Sequence, residues 1–228
     1  NHLHGGSRAL DTKLWAAEAS ADRDGARVRF TTQSPAGESG YPGSLALVVT
    51  YTLTPTDELR IDYEARTDAA TPVNLTNHSY FNLAGAGAAT VLDHELEIAA
   101  SRYTPCDDTG IPTGAVEPLA GSALDFRSPQ EIGSRLAAVE GTPAAGYDHN
   151  FVLDRTRFEG DPLQGAGLAF ACRLHHPASG RTLELYTTQP GLQFYSGNYL
   201  HDQAGKGAAR YPRPRFALPT VSHYPSPR

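Results

Sequence analysis

The stretch SLALVVTYTLTPTDELRIDYEAR, residues 44–66, decides the fold class. In its second half Leu59, Ile61, Tyr63 and Ala65 alternate with Arg60, Asp62, Glu64 and Arg66. Successive side chains of a strand point to opposite faces, so this period of two predicts a strand with one packed face and one wet face. The first half is a more continuous β-branched run and also predicts a strand. TPTDE between them carries the proline and aspartate of a turn.

Runs of the same kind recur outward from this point: HELEIAA (94–100), HNFVLD (149–154), LAFACRLHH (168–176), RTLELYTTQ (181–189) and LQFYSG (192–197). HPASGR (176–181) reads as a hairpin connection with Gly180 free to take positive φ. With 22 glycines and 17 prolines in 228 residues, many short strands joined by turns is the predicted class, all-β. One helix is predicted over 128–139, with Ser128 as N-cap, Pro129 at the first helical position and Glu131 completing a capping box. Ile132, Leu136 and Val139 would then share its buried face.

The formal charge of −6 argues against a nucleic-acid footprint. No apolar run approaches the ~18 residues that would span a bilayer. NHLHGGSRALDTKLW lacks the basic start and apolar core of a secretory signal. Two cysteines, Cys106 and Cys172, allow at most one disulfide and suggest a reducing, cytoplasmic setting. The absence of methionine and the start on Asn1 predict a chain that lacks its beginning. The end, 205–228, holds five basic residues, five prolines and no acidic residue, and RFAL within it reads as the beginning of a strand.

NLTNHSYFNLAG (74–85) packs three asparagines, a histidine and two aromatics between apolar or small flanks, so it reads as half-buried. GYDHNFVL (146–153) sets His149 between Asp148 and Asn150 ahead of an apolar strand. A histidine titrates near pH ~6.5 and can give or take a proton at neutral pH. The plainer alternative for His78 and His149 is structural: two imidazoles satisfying buried backbone groups. Asparagine and histidine offer the mixed donors and acceptors that sugar hydroxyls need, and Tyr80, Phe81, Tyr147, Phe194 and Tyr195 could cover a sugar's C–H face or equally fill a core.

Other chemistries lack their patterns. GAGAAT misses the third glycine of a dinucleotide fingerprint, AGKGAA misses the P-loop spacing, and no G-x-S-x-G occurs. His175 and His176 are adjacent and would point to opposite faces of a strand, a poor metal pair. His2 and His4 have no cysteine or carboxylate at ligand spacing, so no metal is expected. The two N-x-S/T sequons at Asn74 and Asn77 would need export, which nothing upstream supports.

NHLHGG (1–6), NLTNHSYFNLAG, IPTG (111–114), FRSPQEIG (126–133), GYDHNFVL and HHPASGRTLELYTTQPGLQFYSGNYL (175–200) together resemble the aldose 1-epimerases. The resemblance runs in family order from Asn1 to about Tyr199. It implies a large antiparallel β-sandwich, the mutarotase supersandwich, with one or two short helices, here a single domain over 1–228 incomplete at both ends. It implies interconversion of the α and β anomers of hexoses such as galactose and glucose, with an aldose as the small-molecule partner and neither metal nor organic cofactor. Opening the pyranose ring needs a proton delivered to the ring oxygen and another taken from the anomeric hydroxyl. The resemblance makes His149 the general acid at the ring oxygen and His78 its partner. Asp202, one position out of the usual register, would hold a sugar hydroxyl; from their position beside His78, Asn77 and Tyr80 would brace the pocket. It also implies upstream strands with an N-R-I arginine and a later PGE glutamate as general base, neither of which lies within these residues. Where the family has LETQ, Leu218-Pro219-Thr220-Val221 stand, so Pro219 and Val221 replace the expected Glu and Gln. The implied consequence is weak sugar binding and poor epimerisation by these residues alone. A non-catalytic sugar-binding module on the same sandwich, or an unrelated β-sandwich with structural histidines, are the alternatives.

Overall fold

The computed structural model describes residues 4–154 and 167–200, with the backbone of 203–204, 210–211 and 218–222. His2 and Asp202 fall outside the described residues. The chain divides into two compact units, Asn1–Leu75 and Thr76–Arg228.

The first unit is an antiparallel meander of four strands, β1 (Ala16–Asp22), β2 (Gly25–Ser34), β3 (Leu45–Leu53) and β4 (Leu59–Thr67). The strands expected at 44–53 and 58–66 are therefore present, joined by a turn in which Thr54 Oγ1 accepts the Glu58 N–H at 3.2 Å. Facing residues in register share a side of the sheet. Phe30, Val49 and Tyr63 align, as do Val28, Tyr51 and Ile61, giving an apolar stripe across β2, β3 and β4. The expected packed face is not buried, however. Leu59 is 58% and Tyr63 38% exposed, and only Leu47 of β3 is fully buried among the large side chains of this sheet. Alternation fixes which residues share a face. Burial needs a second layer, which this sheet does not have within its own unit.

The second unit holds β5 (Glu95–Ile98), β6 (Ala100–Thr104), β7 (Glu117–Pro118), β8 (Gln130–Glu131), α1 (Ala137–Glu140), β9 (Asp148–Leu153), β10 (Ala169–His176), β11 (Arg181–Thr187), β12 (Gly191–Tyr195), β13 (Gln203–Ala204), β14 (Arg210–Tyr211) and β15 (Leu218–Ser222). They form antiparallel sheets ordered β11-β10-β5-β8 and β15-β12-β9-β6-β7, with a small β13-β14 pair. Gly180 closes the β10–β11 hairpin at φ 68°, as the turn signal required. Both large sheets bury side chains into one core: Leu96, Ile98, Cys172 and Leu174 from the first, Phe151, Leu153, Leu192 and Phe194 from the second. This is the predicted all-β, antiparallel class. Cys172 is buried in that core and Cys106 is exposed, and both are free thiols.

Phe126 centres the core. Its ring lies 5.2 Å from Tyr147, 5.6 Å from Phe194 and 6.4 Å from Phe151, edge-on to each, and the Arg135 guanidinium sits 5.2 Å over its face. Phe126→Ala is expected to cost about 3–5 kcal/mol. A loss of under about 1 kcal/mol in denaturant unfolding would place the core elsewhere.

The capped helix over 128–139 is corrected. Gln130 and Glu131 pair as β8 with Leu96 and Glu95, and helical geometry begins only at Ile132, as a 3-10 turn to Arg135 followed by the short α1. Glu131 stands at the N-cap and makes no side-chain cap. Pairing with β5 supplies the backbone partners that a capping box would have supplied, and the Ile132 and Gly133 N–H groups bond to His94 and Leu92 carbonyls at 2.9 and 2.7 Å. The apolar face survives: Ile132, Leu136 and Val139 are all buried.

Candidate active site

From Thr76 onward the asparagine-rich motif belongs to the second unit. It has no regular secondary structure up to Tyr80, and His78, Ser79 and Tyr80 are exposed rather than half-buried as expected. Two of its asparagines organise their own backbone. Asn77 Oδ1 accepts the Ser79 N–H at 3.0 Å. Asn82 Oδ1 accepts the Ala84 N–H at 3.0 Å, while its Nδ2 donates to the Ala88 and Thr90 carbonyls at 3.4 and 3.1 Å. Short polar side chains holding a loop in this way are a common use of Asn.

The loop presents its aromatics in series. His78 and Tyr80 meet edge to face at 5.4 Å, and Tyr80 meets Tyr195 of β12 at 6.2 Å. Tyr195 is the register partner of Asp148 in β9. Burial pushes the Tyr80 phenol up, and the Asp148 charge adds to the shift. Asp148 Oδ1 accepts from Gln193 Nε2 at 2.7 Å, and Asn150 Nδ2 donates to Thr104 Oγ1 at 3.0 Å. One side of β6, β9 and β12 is thus a polar row of Thr104, Asn150, Gln193 and Asp148.

His149 follows Phe151 and Leu153 onto the other side, opposite Phe194 in register and 6.2 Å from the Tyr103 ring. This apolar surrounding lowers its pKa to about 4, since burial disfavours the imidazolium. The ring is therefore neutral at pH 7. Its Nδ1 accepts the Asp148 N–H at 3.0 Å. A neutral imidazole has one lone pair, so its proton is on Nε2, and His149 can donate a hydrogen bond but has no second lone pair with which to act as a base. The structure brings His78, Tyr80, Tyr195 and Asp148 into one neighbourhood, and sets His149 on the next residue of β9, toward Tyr103.

A sharp backbone position starts β9. Gly146 has φ 146° and lies against the Asn198 side chain. Asn198 Nδ2 donates to the Ala144 and Tyr147 carbonyls, both at 2.9 Å, so it ties the approach to β9 to the end of β12. The sequence reading did not single out Asn198. Its signal was the glycine in GYDH, whose need for positive φ only becomes visible once the partner is known. A separate cleft of about 560 Å³ is lined by Ser101, Asp125, Arg127, Gln130, Arg135 and Asp154. None of the sequence-predicted site residues lines it. Its charges also answer one another, with Arg127 bidentate on Asp125 at 2.8 and 2.7 Å.

The family model described as aldose 1-epimerase matches residues 1–218. The galactose mutarotase of Rattus norvegicus is 47% identical over 214 residues, covering 93% of this chain and 58% of that protein. The aldose 1-epimerase of Escherichia coli K12 is 38% identical over 212 residues, covering 92% of this chain and 58% of its own length. Among solved structures, a galactose 1-epimerase from Lactobacillus acidophilus matches with a TM-score of 0.78 at 29% identity, over 99% of this chain and 62% of that one. An aldose epimerase homologue from C. elegans matches with a TM-score of 0.80 at 29% identity, over 97% and 62%. The chain spans about 58% of the length of these two curated relatives.

Proposed function

The chain belongs to the aldose 1-epimerase family, and on that premise we propose that it binds a hexose and carries the ring-oxygen side of anomer interconversion. The observation that carries this reading is the tautomer of His149, a neutral imidazole whose Nε2–H is its only polar hydrogen. Placed at the endocyclic oxygen, it polarises the C1–O5 bond as that bond breaks and negative charge develops on oxygen. A neutral histidine serves as an electrophile of this kind in other sugar-phosphate chemistry. The anomeric hydroxyl loses its proton to a base, the aldehyde turns about C1–C2, and the ring recloses on the other face. The family resemblance would make His78 the second imidazole at the ring oxygen; its described ring contacts run to Tyr80 and through it to Tyr195, so its pairing with His149 is what the titration below tests. Tyr80 and Asn77 shape the pocket wall and Asp202 holds a hydroxyl. No helix among the described residues is long and apolar enough to cross a membrane. Two free thiols suit a reducing, cytoplasmic setting.

Titration with galactose, followed through the imidazole NMR signals, tests the reading. The His78 and His149 signals are expected to shift together along one saturable curve at millimolar sugar. Signals that both ignore the sugar would return the two histidines to a structural role.

A further inference from the structure

Behind the aromatic loop lies a second pair of histidines that the proposed chemistry does not use. His94, fully buried, stacks on His176 with ring centroids 4.6 Å apart. Asp93 lies beside both, 3.0 Å from His94 Nδ1 and 3.4 Å from His176 Nε2. One ligand atom from each of the three residues falls within 4.8 Å of the others, which is metal-like spacing.

The backbone donors decide against a metal. Leu83 N–H donates to His94 Nε2 at 3.0 Å, and Ser179 N–H donates to His176 Nδ1 at 3.2 Å. A backbone N–H can only donate, so His94 has spent its one lone pair on Leu83, while His176 Nδ1 also meets the Ser179 hydroxyl at 2.8 Å. His94 therefore carries its proton on Nδ1, directed at the Asp93 carboxylate at 3.0 Å. A histidine that ligates a metal donates its other nitrogen's proton outward, whereas the outward Nε2 of His94 accepts.

The network ends where it began. Ser179 Oγ donates to the Leu83 carbonyl at 3.1 Å, and Arg181 donates to the same oxygen at 2.9 Å. Both polar groups of Leu83 are thus held, one by His94 and the other by residues of the His176 turn. Leu83 lies three positions after Tyr80 and five after His78.

We propose that His94 and His176 are positioning residues: on either side of Asp93, His94 through its neutral ring and His176 through the Ser179 turn, they clamp Leu83 and so hold the loop that presents His78 and Tyr80. The effect on sugar binding rests on the functional reading above, but the clamp itself does not. Protonation of His94 removes the acceptor for Leu83 N–H, so acid opens the clamp. The charged groups around it are Asp93, His175 with its partner Glu95, His176 and Arg181. Burial lowers the His94 pKa, and the Asp93 hydrogen bond opposes that shift only in part. Opening therefore belongs below the ordinary histidine range of about pH 6.5.

In the unmodified chain at pH 7, nitrogen NMR is expected to show His94 protonated on Nδ1 alone. The reverse at His94 overturns the proposal, as would a stoichiometric shift of both rings on adding Zn²⁺ alone. From pH 8 to pH 4 the Leu83 amide protection factor should fall relative to that of Ile98, a core amide bonded to the Phe126 carbonyl. In His94→Gln, whose side-chain oxygen accepts but does not titrate, the ratio should stay flat. In His94→Phe it should be reduced about tenfold or more at all pH values, the effect of a donor left without an acceptor. A flat ratio in the unmodified chain, or the same fall in His94→Gln, overturns the clamp. Galactose affinity should drop with Leu83 protection in His94→Phe and stay within about twofold in His94→Gln, since only the former loses the acceptor. Protection lost with affinity intact would remove the positioning role. No galactose binding by the unmodified chain would instead sink the sugar-site reading, and the Leu83 ratio would still judge the clamp.

Discussion

Lowering the pH from 6.5 to about 4 is expected to cost the chain roughly 3 kcal/mol of stability through His149 alone. The folded pKa is depressed, so in this window the unfolded chain binds a proton that the folded chain refuses. The stabilising contribution is therefore complete above pH 6.5 and fades as the pH falls toward 4. Several carboxylates, Asp93, Asp107 and Asp125 among them, are held below their usual range by hydrogen bonds, and their contribution is lost at lower pH still. His149→Gln separates the two effects, because glutamine does not titrate. Denaturant unfolding at pH 7 and pH 4.5 should show a smaller loss in the variant than in the parent chain, and equal losses would contradict the desolvated imidazole. On the proposed function, the same substitution should slow whatever ring opening the parent chain catalyses by about 10²–10⁴-fold, the usual contribution of a positioned proton donor. Polarimetry on freshly dissolved α-galactose reads this directly, and unchanged turnover would remove His149 from the chemistry.

Gly146→Ala is expected to destabilise the chain by about 2–4 kcal/mol, combining backbone strain with overpacking. The residue has φ 146°, a conformation that L side chains rarely adopt, and a Cβ there would collide with the Asn198 amide. Asn198 is not free to retreat, because its amide nitrogen serves two carbonyls and its oxygen accepts from Ser196 Oγ at 2.5 Å. Shifting it would loosen the start of β9, where Asp148 and His149 sit. Gly141→Ala is the control: its φ is −82° and nothing lies within 4 Å of a new Cβ, so it should stay within about 0.5 kcal/mol of the parent. If the two substitutions had similar effects, Gly146 would be an ordinary loop glycine.

These two sites also show how much was legible in the sequence. Alternation and turn chemistry located β3, β4, β9, β10, β11 and β12, because the period of two is a local property. Strand β8 was missed for the opposite reason. Its pairing with β5 lies some 35 residues away in the chain, and no local signal outweighs a capping box that looks complete. The face of β4 was assigned correctly but its burial was not, because burial depends on what lies above the sheet. His78 and His149 were visible through motif density. Asp93 and His94 were not, because the residues that give them meaning, Leu83 and His176, reach them only through the fold. His176 was set aside as half of a poor metal pair with His175. The structure gives it a partner from β5's approach instead, while His175 turns to Glu95 at 3.2 Å.

The unequal placement of the two thiols makes the molecule its own reporter of opening. Cys106 is accessible to an alkylating reagent in the native chain, whereas burial pushes the Cys172 thiol far up and walls it off between sheets. Modification of Cys172 therefore requires the core between the two large sheets to open. The ratio of the two labelling rates would time that excursion without any added dye or mutation.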